Sequence, residues 1–413
     1  MPKRRVVVTG MGVLAPNGNT VPQYWEALRT GKSGIAKITH FDTSDYSVKI
    51  AGEVTGFQLD DFFERKESRK LDRFTIYALV AVEEAIIDAG LLVDSINLNR
   101  IGVIIGSGIG GIESFEEQHR NLLEKGPRRV SPFFIPKMIA NIAAGHIAIK
   151  WGFKGPNHVV VSACASGTDA LGVAMRTIQY GEADIMISGG SEASVCPMAV
   201  AGFANMKALS TRNDEPTKAS RPFDLNRNGF VIAEGAGILV LEELEHARQR
   251  GARILGEIAG YGATNDAFHV TQPASGGAGA AKAMEAAIRD ASMKYSDVDY
   301  INAHGTSTPH NDKNESIAIR TVFGDHADNL YISSTKSMTG HLLGASGAIE
   351  AIAALLIIEN QIIPPTINLT DADPECDLNY VPNTAISAKV DTIISNSLGF
   401  GGHNGVLLIK RWN

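Results

Sequence analysis

Two hydrophobic rhythms alternate along this chain. Short unbroken runs of Val, Ile and Leu, bounded by Gly, Ser and Thr, give way to longer segments with apolar residues every three or four positions. The short runs predict buried strands at 5–9, 102–105, 159–162, 185–188, 237–241, 300–303, 330–333, 393–395 and 406–410. The longer segments predict helices at 24–30, 74–89, 112–124, 139–150, 168–180, 244–250, 279–291, 314–323 and 347–360. This alternation predicts an α/β architecture with mostly parallel strands, buried on both faces.

A weak repeat organises the elements. The strand at 159–162 leads into Cys164, a small-residue turn and the helix at 168–180. The strand at 330–333 leads into Lys336, His341, a Gly/Ala turn and the helix at 347–360. The glycine loop at 106–111 is matched to that at 399–402. Two similar halves are expected, 1–252 and 253–413, with the change-over near 250–256 and no low-complexity linker. Equivalent loops would meet at the join and bring Cys164 to face His304, His341 and Phe400.

Cys164 carries the first chemistry. It ends a β-branched run, His158-Val-Val-Val-Ser-Ala-Cys-Ala-Ser-Gly167, at a helix N-terminus among small neighbours. Free N–H groups and the positive end of the helix dipole favour thiolate there, which suits an acyl-enzyme nucleophile. A buried structural thiol is the alternative. His304 and His341 stand out among 11 histidines because each follows an apolar strand in a Gly, Ser and Thr-rich loop.

Composition narrows the class. A net charge of −7 argues against general nucleic-acid affinity. Three widely spaced cysteines do not suggest a disulfide framework; Cys196 and Cys376 are expected to be structural. The apolar start is broken by Thr9 and Gly10 and predicts a strand, not a secretory leader. The apolar helix at 349–358 carries Glu350 and is too short to span a bilayer, so a cytoplasmic protein is expected.

Four motifs in order resemble the β-ketoacyl-acyl-carrier-protein synthases, in particular the bacterial type II elongating enzymes. They are Ser-Ala-Cys-Ala-Ser-Gly around Cys164, Asn-Ala-His-Gly-Thr-Ser-Thr-Pro around His304, Lys-Ser-Met-Thr-Gly-His-Leu-Leu-Gly-Ala from Lys336, and Asn396-Ser-Leu-Gly-Phe-Gly-Gly-His-Asn404. The likeness runs over nearly the whole chain. Leu398, His403, His310 and Asn311 depart from the commoner residues, which bears on acyl preference and leaves every reacting group in place.

The resemblance implies a thiolase fold, two α/β halves in a five-layered α-β-α-β-α core. It implies decarboxylating condensation of an acyl thioester with malonyl-acyl carrier protein, chain elongation in fatty acid synthesis through acyl-Cys164. Backbone N–H groups of Cys164 and Phe400 would stabilise the tetrahedral oxyanion. His304 and His341 would stabilise the enolate, with Lys336 and Glu350 as ion-paired support. Ile109, Phe134 and Phe203 would line the acyl pocket, Phe134 coming from the partner in a homodimer. Thr306 and Thr308 would bind the pantetheine arm. No organic cofactor is implied; Asn302, Glu350, Ser395 and Asn396 are matched to a structural Na+ or K+ site. The partner is an acidic acyl carrier protein, met by Lys66, Arg69, Lys70, Lys207 and Thr271. In the residues themselves, Lys66, Arg69, Lys70 and Arg73 fall at i, i+3, i+4 and i+7, one helical face.

Three rivals remain. The loop Gly106-Ser-Gly-Ile-Gly-Gly111 fits a dinucleotide fingerprint, but no acidic residue follows at the expected distance. A non-decarboxylating thiolase needs a second reactive cysteine, for which only Cys376 is available. A non-catalytic chain-length-factor partner would lack the nucleophile that Cys164 supplies.

Overall fold

The computed structural model describes residues 3–91 and 96–412. In the first half the strands are β1 (Val6–Leu14), β2 (Ala36–Lys37), β3 (Ile50–Ala51), β4 (Ile101–Gly106), β5 (Asn157–Val160), β6 (Ile185–Glu192) and β7 (Gly235–Glu243). The second half has β8 (Gly256–Asn265), β9 (Tyr300–Asn302), β10 (Tyr331–Ser333), β11 (Ile362–Ile363), β12 (Ile386–Ser387), β13 (Thr392–Gly399) and β14 (His403–Lys410). The helices up to the middle of the chain are α1 (Val21–Arg29), α2 (Arg65–Ser68), α3 (Arg73–Asp88), α4 (Ile112–Lys125), α5 (Phe134–Met138), α6 (Ile142–Trp151) and α7 (Ser166–Gln179). Those that follow are α8 (Pro197–Asn205), α9 (Leu244–Gln249), α10 (Ala278–Asp290), α11 (Pro309–Phe323), α12 (Lys336–Thr339) and α13 (Ser346–Asn360).

The repeat is visible in the sheet. Its order is β10-β9-β13-β14-β8-β1-β7-β6-β4-β5, the two halves meeting at two residue pairs between β1 and β8. Leaving aside the short pairs β2–β3 and β11–β12, each half orders its five strands third, second, fourth, fifth, first. In each half the second, third and fourth strands are parallel, and the fifth lies antiparallel between fourth and first. The sheet is therefore mixed, not mostly parallel. A tight loop such as that between β13 and β14 can join only antiparallel strands.

Strand alternation feeds separate cores. Ile101, Val103 and Ile105 of β4 face α3, whereas Ile104 faces the middle of the molecule. Val406 and Leu408 of β14 face α10, whereas Leu407 and Ile409 face the middle. Helices α7 and α13 lie in that middle core, between the two halves of the sheet, and pack on each other. With α3 and α6 outside one half and α10 and α11 outside the other, this is the five-layered thiolase-like arrangement. The stretch Leu343–Asn360 is long and apolar enough to cross a membrane but is 89% buried inside the protein; its apolar residues on every side mark a core helix.

Besides the short elements β2, β3, β11, β12 and α12, three longer ones differ from the pattern reading. The helix expected at 139–150 starts three residues later, as α6 at Ile142, because Ile139 is extended after α5 ends at Met138. Helix α8, opened by Pro197, was not expected. Nor was β8, whose Ala-Gly-Tyr-Gly core has little aliphatic signal. Its glycines serve packing. A Cβ on Gly262 would lie 2.0 Å from the Ala283 carbonyl of α10, and one on Gly12 of β1 would lie 1.9 Å from the Ala81 carbonyl of α3. Both halves thus seat an alanine-bearing helix directly on a glycine strand.

Gly12→Ala and Gly262→Ala are each expected to destabilise the fold by about 1–3 kcal/mol, the usual scale of core overpacking. Thermal unfolding of both variants, read against wild type, checks this; unchanged midpoints would contradict the close-packing account.

Candidate active site

Strand β5 ends at Val160, and a short turn, Ala163–Ala165, feeds α7. Ala163 takes φ 51°, a conformation that side chains rarely adopt. The turn is held by the Ser162 N–H on Ser166 Oγ at 2.9 Å and by the Ser166 hydroxyl on the Ala163 carbonyl at 2.7 Å. Cys164 is buried in this turn, where the backbone N–H groups of Phe400 and of Cys164 itself favour the ionised sulfur. Gly399 permits that approach, since a Cβ there would lie 3.1 Å from the Cys164 nitrogen. Burial pushes the thiol up to about 11, against the pull of Lys336 and the two N–H groups. The helix end alone would favour thiolate; desolvation outweighs it, so the resting sulfur is a thiol.

His304 follows β9. Its backbone N–H and that of Gly305 donate to the two oxygens of Glu315, each at 2.8 Å. His341 precedes α13; its Nδ1 sits 2.9 Å from Ser346 Oγ, and its N–H donates to the Val231 carbonyl at 2.8 Å. The two rings are 5.3 Å apart and nearly perpendicular, at 86°. Burial first, then Lys336, holds both imidazoles well below the usual histidine range, and His341 adds to the effect on His304. Both are neutral at physiological pH. Among the described residues, Nδ1 of His304 has no partner. Lys336 Nζ donates to Glu350 Oε1, and both side chains are buried. Burial pushes the Glu350 carboxyl up to about 7, opposed by Lys336.

One cavity of about 330 Å³ joins these groups. Cys164, His304, His341 and Phe400 line it, with Phe203, Thr306, Thr308, Lys207 and Thr271. The hydroxyls of Thr306 and Thr308 are 2.9 Å apart. Phe203 lies 6.4 Å from Phe400 and 5.5 Å from Phe230, which in turn stands edge-on to His341 at 5.3 Å. Ile109 and Phe134 lie outside this lining. Phe134 packs 6.2 Å from Phe115 of α4, beside the exposed Phe133 and Ile135.

Lys66, Arg69 and Lys70 are exposed but do not form one long helical face, because α2 stops at Ser68. Arg73 turns inward instead, 2.6 Å from Glu113 and 3.1 Å from the buried Glu234. Lys70 Nζ lies 5.4 Å over the Phe133 ring, which sets the basic segment beside the exposed apolar one.

The residues matched to a cation are fully buried, and Asn302 Oδ1, Glu350 Oε2, Ser395 Oγ and Asn396 Oδ1 have no hydrogen-bond partner among the described residues. Asn302 and Ser395 are register partners in β9 and β13, and Asn302 Nδ2 donates to the Glu350 carbonyl at 3.2 Å. Three hard oxygens thus gather on the face toward α13, a donor set that fits Na+ or K+. Asn396 points to the other face, where its Nδ2 meets Glu315 at 3.1 Å, so its side chain does not join them.

Pattern reading missed Glu315, Ser346 and Phe230. Glu315 sits in the polar run Asn311-Asp-Lys-Asn-Glu-Ser316, which looks like a solvated helix face, yet Glu315 is fully buried. Ser346 gave a faint signal, since Ala-Ser-Gly opens both α7 and α13.

Comparison with known proteins agrees with this geometry. Residues 3–247 match the family model "Beta-ketoacyl synthase, N-terminal domain" and 255–370 match "Beta-ketoacyl synthase, C-terminal domain". A Synechocystis protein named 3-oxoacyl-[acyl-carrier-protein] synthase 2 is 53% identical over 410 residues, covering 99% of each chain. A Staphylococcus aureus protein of the same name is 54% identical over 409 residues, again covering 99% of each. A solved ketosynthase, in complex with its type II polyketide acyl-carrier protein, superposes with a TM-score of 0.92 at 40% identity and full coverage of both chains. A β-ketoacyl synthase from Burkholderia phymatum gives the same TM-score at 37% identity, covering 99% of this chain and 100% of its own. With both family models matched and such identity end to end, the chain belongs to the β-ketoacyl synthase family.

Proposed function

We propose that this protein elongates fatty acyl chains: it condenses an acyl-acyl carrier protein with malonyl-acyl carrier protein to give 3-oxoacyl-acyl carrier protein and CO2. The observation that carries this reading is one cavity holding a buried thiol, two neutral imidazoles and a backbone N–H aimed at the sulfur. The names of the full-length relatives point to the same reaction.

Cys164 adds to the acyl carbonyl, its proton leaves with the carrier thiol, and the acyl group stays on sulfur. The N–H groups of Cys164 and Phe400 receive the oxyanion; such a donor is worth roughly 3–4 kcal/mol. Malonyl thioester then loses CO2. With the Ser346 hydroxyl donating to Nδ1, His341 presents Nε2–H, and with His304 it stabilises the enolate oxygen. The enolate carbon attacks the acyl carbonyl, a C–C bond forms, the C–S bond breaks, and Cys164 leaves as a thiolate that takes one proton from solvent to return to the thiol. Lys336 and Glu350 hold the imidazoles in place. Thr306 and Thr308 grip the pantetheine arm, Phe203 borders the acyl chain, and Ile109, outside the present cavity lining, is the wall that a longer chain reaches. A monovalent cation would be held by Asn302, Ser395 and Glu350 and would supply a fixed positive charge there.

The halves 1–252 and 253–413 divide the work, the first bringing the nucleophile and the second the histidines. A homodimer in the cytoplasm completes the pocket: Phe133, Ile135 and Val161 are exposed, and β5 is an open sheet edge that a second copy would cover, placing Phe134 against the partner's pocket. The thiolase alternative is disfavoured because Cys376 is buried beside Asp373, away from the cavity lining.

Elongation assays with malonyl-carrier and acyl-carriers of graded length test the reading directly. Wild type should release CO2 and form the lengthened 3-oxoacyl product, and Cys164→Ala should form none while unfolding like wild type. Condensation by the alanine variant at the native rate would remove Cys164 from the mechanism.

His304→Ala and His341→Ala should each slow malonyl decarboxylation by roughly 100-fold or more, while acyl transfer to Cys164 persists. Mass spectrometry of acylated enzyme separates the two steps; loss of acylation in both variants would reassign the histidines.

Lys66, Arg69 and Lys70, with Lys207 and Thr271 at the cavity mouth, form the carrier-docking face. Reversing Lys66, Arg69 and Lys70 to Glu should lower kcat/KM on carrier-bound substrates by about tenfold and flatten its salt dependence. Activity on short acyl-pantetheine analogues should hold. Equal loss on both substrate types would show that the segment is structural.

A further inference from the structure

Glu192 ends β6 with its side chain fully buried, and the chemistry above makes no use of it. Its carboxylate accepts from two separate segments. The Gly108 N–H at 2.7 Å, the Ile109 N–H at 3.2 Å and the Ser107 hydroxyl at 3.2 Å come from the loop after β4. The Gly344 N–H at 3.1 Å comes from the turn that opens α13. In a dinucleotide fold, N–H groups of such a glycine loop face a phosphate. Here they face a carboxyl group that belongs to the protein.

The repeat identifies the place. Ala163 and Leu343 take φ 51° and 49°, each begins a short turn, and Ala-Ser-Gly at 165–167 and 345–347 then enters a helix. Gly344 therefore stands where Cys164 stands. β6 and β13 are both fourth strands of their halves. The segment leaving β13 brings the Phe400 N–H to Cys164; the end of β6 brings a carboxylate to the N–H of Gly344. The glycine loop at 399–402 thus corresponds to the end of β6 and not, as the sequence suggested, to the loop at 106–111. At one turn the N–H stands beside the Cys164 sulfur in the cavity, and its counterpart is filled by Glu192.

The two places are in contact. A Cβ on Gly344 would lie 2.4 Å from the Gly108 nitrogen, and one on Gly108 would lie 3.4 Å from the Ala163 carbonyl. His341 lies three residues before Gly344.

We propose that Glu192 is a positioning residue of the condensing site: its carboxylate ties the Ile109 loop to the turn behind His341, so that the wall of the acyl pocket and the histidine pair keep one register around Cys164. The inference rests on the roles given above to Ile109 and His341. A carboxylate suits the place because it offers only acceptors, about four lone-pair sites, to donors on both sides. An amide would turn its own N–H groups toward one set of them. Three of the four bonds hold the loop that carries Ile109, so Glu192 limits how far that wall opens to an acyl chain.

Full-length wild type, Glu192→Gln and Ser107→Ala test this, each assayed for condensation with acyl-carriers of graded length and for malonyl decarboxylation. Glu192→Gln should shift the ratio of kcat/KM for long over short chains toward long chains by about tenfold and slow decarboxylation. Ser107→Ala, which removes one donor and leaves the carboxylate, should shift the ratio the same way by about threefold. This ratio does not depend on the folded fraction of the enzyme, so lost stability alone leaves it unmoved. Unchanged ratios in both variants overturn the assignment; should Glu192→Gln fail to fold, an unchanged ratio in Ser107→Ala overturns it alone. A wild-type chain that condenses nothing would overturn the functional reading itself, which is a separate outcome.

Discussion

Everything at this site depends on how closely the N-termini of α7 and α13 approach. A Cβ on Gly167 would meet the Gly344 carbonyl at 2.8 Å, and one on Gly347 would meet Thr168 Oγ1 at 2.0 Å. No side chain fits between them. Because protein interiors pack at crystal-like density, that contact cannot be relaxed locally. It places Cys164, at the start of one helix, in the same cavity as His341, just before the other. The sheet halves, each with the same strand order, carry these helices into the shared middle layer.

Desolvation governs the electrostatics of the centre. It raises the Cys164 thiol, keeps His304 and His341 neutral and lifts the Glu350 and Glu192 carboxyls to about 7. Lys336 is anchored on Glu350, so its charge is fixed in position. A resting site of neutral reacting groups does not trap a thiolate–imidazolium pair. Each neutral imidazole keeps one N–H to donate, and low local polarity strengthens such a bond wherever negative charge develops.

The basic segment at 66–73 shows how local pattern and global packing part company. The i, i+3, i+4, i+7 spacing of Lys66, Arg69, Lys70 and Arg73 is real in the sequence, but α2 ends at Ser68 and α3 begins anew at Arg73. The last cation is drawn inward by Glu234, which lies far along the chain. Spacing rules hold only while one helix continues.

The sequence by itself determined the local chemistry: a cysteine at a strand-to-helix turn, two histidines in small-residue loops, glycines flanking Phe400, and alternating elements in a duplicated order. These are legible because they depend on neighbours a few residues away. Tertiary structure alone decided the rest. β8 could not be read because its glycines answer to α10, not to strand propensity. Glu315 and Glu192 looked like ordinary charges because nothing beside them in the chain reveals their burial or their distant N–H partners. The thiol, placed for ionisation by its helix end, is held protonated by the bulk of the fold around it. Burial sums over every element that packs nearby, and a linear pattern records only the element in which a residue stands.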